Sequence, residues 1–197
     1  MGLNGAGKST LLRVMGGVYE PTAGRVETRG RISTLYDLRA AMDRDASGYE
    51  NVLLRGLLLG LRPREIERRL DEIVALAELE EVLHLPLYTY SSGMAVRLAV
   101  ATALLIEPEI LLMDEWIGMG DKRFTRRVET MLTDKVASCE ILALASHSEG
   151  LLRDLCNRGL VLEAGRVAFD GPLDEAARFY FGDEPQRARG RRLPSAP

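Results

Sequence analysis

Gly2-Leu3-Asn4-Gly5-Ala6-Gly7-Lys8-Ser9 is a complete G-x-x-x-x-G-K-[ST] stretch, and its residue types specify phosphate chemistry. Glycines let backbone N–H groups turn inward around phosphate oxygens, the lysine reaches the β- and γ-phosphates, and the hydroxyl that follows is offered to Mg²⁺. The nucleotide contacts expected here are Asn4, Gly5, Ala6, Gly7, Lys8, Ser9 and Thr10, with Ser9 on the metal. A buried parallel strand delivers the chain to such a loop and a helix leaves it. Met1 is what this sequence provides of that strand.

Three further places carry chemistry. Glu109-Ile110-Leu111-Leu112-Met113-Asp114 is an apolar run ending in an acid, as in a strand buried on both faces of a parallel sheet. At its end Asp114 is placed to hold Mg²⁺ through water, and Glu115 to activate a water for attack on the γ-phosphorus. Ser146-His147-Ser148 follows a second apolar strand, which puts His147 at the same sheet edge, within reach of a γ-phosphate. Tyr90-Ser91-Ser92-Gly93-Met94 opens a long helix with small hydroxyl residues and a glycine, a helix N-terminus that favours an anion. Taken singly, each has an ordinary reading: strand-end solvation for the acids, a structural imidazole, a plain N-cap serine. Their placement in one chain with a phosphate loop favours the functional one.

The elements that must position these groups are readable from period and punctuation. A helix follows the loop from Thr10 to Met15 and stops at Gly16-Gly17, and short strands are expected from Arg25-Val26-Glu27-Thr28 to about Leu35. Ser47 and Glu50 have the spacing of a capping box before the run Asn51 to Leu61, which begins a helical insertion over about residues 47–107. Pro63 suits the first position of the next helix, whose apolar residues Ile66, Leu70, Ile73, Val74 and Ala77 recur at helical spacing. After the acidic strand, Asp121 to Val136 reads as helix, Glu140 to Ala145 as strand, and His147 to Leu155 as helix. Gly159 to Phe169 reads as a hairpin turning at Ala164-Gly165, and a last short helix begins at Pro172. Residues 183–197, rich in Arg and Pro with little to bury, read as a disordered tail, solvated around Arg187, Arg189, Arg191 and Arg192.

Composition bounds the possibilities. The chain has 197 residues, 46% of them hydrophobic, enough for one α/β core with an insertion. A net charge of −3 does not favour nucleic acid as a partner. Two cysteines make no disulfide scaffold, which fits a reducing compartment. The run Asn51 to Leu61, interrupted by Arg55, is far shorter than the ~20 residues needed to cross a bilayer, so any membrane role passes through a partner.

These motifs together resemble the nucleotide-binding subunit of an ATP-binding-cassette transporter. The five residues Tyr90 to Met94 depart from the usual L-S-G-G-Q signature and resemble the form used by exporters of O-antigen, capsule and teichoic-acid polysaccharides. Asp114-Glu115-Trp116-Ile117-Gly118-Met119-Gly120-Asp121 is similar to the D-E-x-x-x-x-G-D stretch of those exporters, and Ser47-Gly48-Tyr49-Glu50-Asn51 to their Thr-Gly-Arg-Glu-Asn segment. The resemblance implies an α/β P-loop NTPase: a mostly parallel sheet flanked by helices, with an inserted α-helical subdomain, over residues 1–182. It implies ATP and Mg²⁺ as ligands, Glu115 and His147 as catalytic groups, and Asp114, Ser9 and Asp37 around the metal. Asp121 would couple two active sites across a homodimer in which Ser91, Ser92 and Gly93 contact ATP held by the other subunit. An integral-membrane permease would be the partner, met near Asp37 and the first helix of the insertion, with this subunit peripheral at the cytoplasmic face of the inner or plasma membrane.

Two other readings compete. A non-transport soluble cassette ATPase would bear a coiled-coil insertion, a second cassette or strongly basic surfaces, and none is visible. A weakly active or inactive, truncated cassette is suggested by the missing strand and by the lack of an aromatic residue ahead of the loop to stack on adenine. A start site placed too late is the simpler expectation, checked by looking upstream for an in-frame extension that encodes strands and an aromatic residue.

Overall fold

Strands β1 (Ile32–Thr34), β2 (Ile110–Asp114) and β3 (Ile141–Ala145) form a parallel sheet in that order. The computed structural model describes residues 1–36, 42–104, 107–115 and 122–182, which fall into two compact units. The sheet belongs to the unit spanning residues 8–146. β2 is its middle strand, with Ile110 to Met113 buried, because a continuous apolar run suits a strand covered on both faces. Its register sets Asp114 opposite Ala145.

Helix α1 (Lys8–Met15) packs on β2 and β3, and its Leu12 joins Tyr36, Ile110, Leu112 and Ala145 in a small core. The Tyr36 hydroxyl donates to the Leu12 carbonyl at 3.3 Å. The insertion comprises α2 (Gly48–Leu58), α3 (Pro63–Ala77) and α4 (Ser92–Leu104), which pack on one another. Ile66, Ile73, Val74 and Ala77 are buried along one face of α3, as their spacing requires, and Pro63 stands at its first turn. The larger core joins Val52, Ile66, Leu98 and Leu104 of the insertion to Leu111 and Met113 of β2, and to Phe124, Val128 and Leu132 of α5 (Lys122–Ser138). Among the described residues no helix is long and apolar enough to cross a membrane.

The second unit contains residues 1–7 and 147–182. Strands β4 (Arg158–Glu163) and β5 (Arg166–Pro172) form an antiparallel hairpin, with α7 (Leu173–Phe181) against both strands and α6 (Glu149–Leu155) against α7. Ala164 and Gly165, at φ +48° and +77°, make the two-residue turn, a geometry that matches the twist of the flanking strands. The start of the chain lies along this hairpin. Gly2 bridges Leu162 in parallel, the Met1 carbonyl accepts the Leu162 N–H at 2.9 Å, and the Met1 ammonium donates to the Leu160 carbonyl at 2.7 Å. The ladder groups of Met1 are therefore paired.

Some expected elements differ from those observed. Residues 25–28 form no strand: the stretch from 17 to 31 is exposed, and alternation without a neighbouring edge makes no ladder. α6 starts at Glu149 rather than His147, because the Ser148 hydroxyl accepts the Leu151 N–H at 3.4 Å and caps it. α1 begins at Lys8, earlier than Thr10. The expected tail 183–197 lies outside the described residues.

Candidate functional site

The phosphate-binding loop is shaped by positive backbone angles at Gly2, Gly5 and Gly7, φ +149°, +80° and +101°. A side chain at Gly2 would meet the Leu162 carbonyl oxygen at 2.5 Å, so only glycine lets the loop leave the hairpin here. Within the loop the Ala6 N–H donates to the Leu3 carbonyl at 3.1 Å, and the Ala6 carbonyl accepts the Gly165 N–H at 3.1 Å. The hairpin turn thus props the loop from beneath. Asn4 and Gly5 are exposed, while Gly7, Lys8 and Ser9 are half-buried. Lys8, Ser9 and Thr10 are the first residues of α1, whose first turn carries no acidic residue to compete for its open N–H groups.

Asp114 ends β2 half-buried, and Glu115 after it is exposed. Glu115 adopts φ +66°, unusual for a residue with a side chain, and its N–H donates to the Ala145 carbonyl at 2.7 Å. The bond continues the β2–β3 ladder by one step. Ser146, next along the chain, is buried. His147 is exposed and opens the segment leading into α6.

The Tyr90 to Met94 segment caps α4. The Ser91 hydroxyl accepts the Met94 N–H at 3.2 Å and its carbonyl accepts the Ala95 N–H at 3.1 Å, which makes Ser91 the cap. Ser91, Ser92 and Gly93 are all exposed, so this helix N-terminus is open to a ligand from outside. The Tyr90 hydroxyl donates to the Val82 carbonyl at 2.7 Å, and burial pushes its phenol above the ordinary value. Gly48 makes room for it: a Cβ there would lie 2.3 Å from the Tyr90 oxygen.

At the entrance to the insertion the expected capping box is present. Ser47 Oγ accepts the Glu50 N–H at 3.2 Å, and Glu50 Oε2 accepts the Ser47 N–H at 2.7 Å, which holds the Glu50 carboxyl below its ordinary range. Asn51, 1% exposed, folds the preceding loop onto α2. Its amide donates to the carbonyls of Asp43, Ala46 and Ser47 at 2.8, 3.2 and 2.9 Å and accepts the Asp43 N–H at 2.8 Å. Leu54, Leu57 and Leu58 of α2 are exposed.

Asp37 and Asp121 lie outside the described residues, as do 116–120. Among the described residues no three His, Cys, Asp or Glu side chains gather as a metal cage. Sequence reasoning passed over the bond from Gly165 to Ala6 and the Asn51 amide network. The Ala164-Gly165 turn was legible, but its contact with Ala6 is not, since nothing local to either segment encodes it.

Comparison with known proteins identifies the family. The ABC transporter family profile matches residues 1–118. The O-antigen export system ATP-binding protein RfbE of Yersinia enterocolitica is 44% identical over 167 residues, covering 85% of this chain and 70% of that protein. An O-antigen export system ATP-binding protein RfbB of Myxococcus xanthus is 39% identical over 180 residues, and there the chain spans 91% of itself but 41% of the relative. The teichoic acids export ATP-binding protein TagH of Staphylococcus haemolyticus is 31% identical, covering 91% of this chain and 68% of its own length. A solved ATP-binding subunit of an ABC transporter superposes with a TM-score of 0.72 at 25% identity, over 96% of this chain and 83% of that one. The dimeric cassette MJ0796 with ADP and Pi shares the fold, with a TM-score of 0.65 at 24% identity over 88% and 83%. The chain belongs to the ABC transporter family, among its ATP-binding, ATPase cassettes.

Proposed function

We propose that this chain is the ATP-binding and ATP-hydrolysing subunit of an exporter of polysaccharide or lipid-linked glycan, with residues 1–182 acting as one cassette. The observation that carries this reading is the exposed, capped N-terminus of α4 at Ser91–Gly93, whose Y-S-S-G-M sequence resembles the form used by exporters of polysaccharide. The relatives named for O-antigen and teichoic acid export support the substrate class. α4 packs on α2, α3 and α5, whereas α1 packs on β2 and β3, so the open end of α4 is free to serve a nucleotide held by a second copy. Two such copies would close on two ATP molecules as an isologous homodimer.

In this reading Asn4 to Thr10 wrap the phosphates through backbone N–H groups and the Lys8 ammonium, and Ser9 and Asp114 would hold Mg²⁺, with Asp37 beside them. Bound Mg²⁺ supplies charge neutralisation at the β- and γ-phosphate oxygens. Glu115 takes a proton from water as its oxygen bonds to the γ-phosphorus and the bond to the β,γ-bridging oxygen breaks. His147 steadies the γ-phosphate, Ser91, Ser92 and Gly93 orient it from the partner copy, and Asp121 links the two sites. Closure would drive an integral-membrane permease, docked near Asp37 and the exposed leucines of α2, with the cassette peripheral at the cytoplasmic face of the membrane and no nucleic acid involved.

The test is hydrolysis of MgATP by the purified chain, with and without the membrane protein that co-purifies with it. Hydrolysis abolished by Lys8→Ala, and co-purification weakened by charged substitutions at Leu57 and Leu58, are the expected results. Hydrolysis that survives Lys8→Ala would sink the site, and a chain that retains no membrane protein would sink the exporter reading.

A further inference from the structure

Glu78 ends α3 in the left-handed conformation, at φ +55°, where glycine or asparagine is the residue the backbone prefers. Backbone preference alone therefore gives no reason for a glutamate. Its carboxylate gathers three guanidinium groups from two other helices: Arg97 of α4 at 3.3 Å, and Arg127 and Arg123 of α5 at 3.3 and 3.9 Å. Arg127 also donates to the Ala75 carbonyl at 3.5 Å, within the last turn of α3. The Glu78 and Arg97 side chains are 35% and 20% exposed, so water screens this pair less than an ordinary surface ion pair. A shared carboxylate also costs less side-chain entropy per bridge than isolated pairs would, since one partner is already ordered.

The two helices it joins are the ones that matter for a composite site. Arg97 stands on α4, whose exposed N-terminus carries Ser91, Ser92 and Gly93. Arg123 and Arg127 stand on the first turns of α5, the helix that the chain enters after Asp114 and Glu115. We propose that Glu78 is a positioning residue for ATP hydrolysis: its carboxylate fixes α4 against α5, so that Ser91–Gly93 meet nucleotide held by a second copy of the chain. This inference rests on the homodimer reading above. A plain helix-ending role would leave the arginines incidental, and the two roles separate cleanly. Glycine at this position relieves the left-handed backbone while deleting the carboxylate.

The experiment is sedimentation velocity of the full chain with MgATP in the hydrolysis-slowed Glu115→Gln background, comparing Glu78→Gly and Glu78→Gln. We expect both variants to need about five- to tenfold more ATP for half-dimerisation, a change the size of one or two partly buried ion pairs. Glu78→Gly should keep or raise the thermal midpoint, and nucleotide affinity measured on the dilute monomer should stay at the parental value. Arg97→Met added to Glu78→Gly should weaken dimerisation no further. Variants that dimerise like a dimerising parent overturn the inference alone. So does a Glu78→Gly protein whose dimer loss comes with a lowered thermal midpoint, the mark of a purely structural clasp. A Glu115→Gln parent that stays monomeric overturns the dimer reading and this inference with it.

Discussion

The backbone N–H of Glu115 donates to the carbonyl of Ala145 at 2.7 Å, while Glu115 itself stands at φ +66°. A side-chain-bearing residue held there costs about 1–3 kcal/mol, which persists because the neighbouring strands over-determine it. The bond carries the β2–β3 ladder one residue past Asp114, and the left-handed turn then leaves the carboxylate exposed at the sheet edge.

Glu115→Gln preserves shape and backbone and removes only the proton acceptor. Turnover should fall on the order of 10²- to 10⁴-fold with nucleotide affinity kept, read by phosphate release and calorimetric titration. Glu115→Gly should be equally inactive yet gain about 1 kcal/mol of stability from the relieved backbone. Parental turnover in Glu115→Gln excludes Glu115 as the base.

Two loop glycines answer to different physics. A methyl at Gly2 would press on the Leu162 carbonyl oxygen at 2.5 Å and Ala6 Cβ at 3.1 Å, neither of which can swing away. Gly2→Ala should therefore lose about 1–3 kcal/mol or more in urea unfolding, the usual range for overpacking. At Gly5 a methyl meets nothing within 4 Å, so Gly5→Ala bears only the left-handed penalty of about 1–2 kcal/mol while weakening phosphate binding. The reverse order of stabilities would contradict the pairing of the chain start with β4.

What was legible in the sequence was whatever is written locally. Ser47 and Glu50 cap α2 because a box needs only three-residue spacing, and Ile66, Ile73 and Ala77 fill the core because a helix face repeats. β2 announced itself as an unbroken apolar run. Long-range relations were not written in this way. Nothing near Ala6 specifies that Gly165 will hold its carbonyl, and nothing near Glu78 specifies that arginines of two later helices will converge on it. Residues 25–28 misled for the same reason: alternation describes a strand's faces but says nothing of whether an edge is available.

On the hairpin, Arg158 holds Asp170 by paired bonds of 2.8 and 2.9 Å, which lower the carboxyl below its ordinary 3.8. A depressed folded-state value means the pair stabilises the protein above the unfolded value, and the contribution is lost as pH falls through the folded one. Asp170→Asn should therefore be less stable than the parent at pH 7 by a small margin. Below about pH 4 the gap should close. Denaturation of both proteins across that range checks the sign, and a gap that widens in acid would rule out the ion pair as its source.

At the entrance to the insertion, Asn51 and Ser47 stabilise α2 by different means, and their variants should rank accordingly. Ser47→Ala removes an exposed cap whose donors can turn to water, a loss of about 0.5–2 kcal/mol. Asn51→Asp keeps the shape and the bond from the Asp43 N–H, but turns a carboxylate oxygen toward the carbonyls of Asp43, Ala46 and Ser47, which the amide bonded at 2.8, 3.2 and 2.9 Å. At 1% exposure neither those carbonyls nor the new charge can recruit water freely, so the loss should exceed that of Ser47→Ala and reach about 3 kcal/mol. Protonating the new carboxyl restores one donor, so the deficit of Asn51→Asp should shrink in acid while that of Ser47→Ala does not. The Ser47→Ala deficit should shrink only if Glu50, held below its ordinary range by Ser47, is itself titrated. Urea unfolding at pH 7 and pH 5 separates these outcomes. Equal losses at both pH values for Asn51→Asp would mean that the loop from Asp43 to Ser47 is held by something other than this amide.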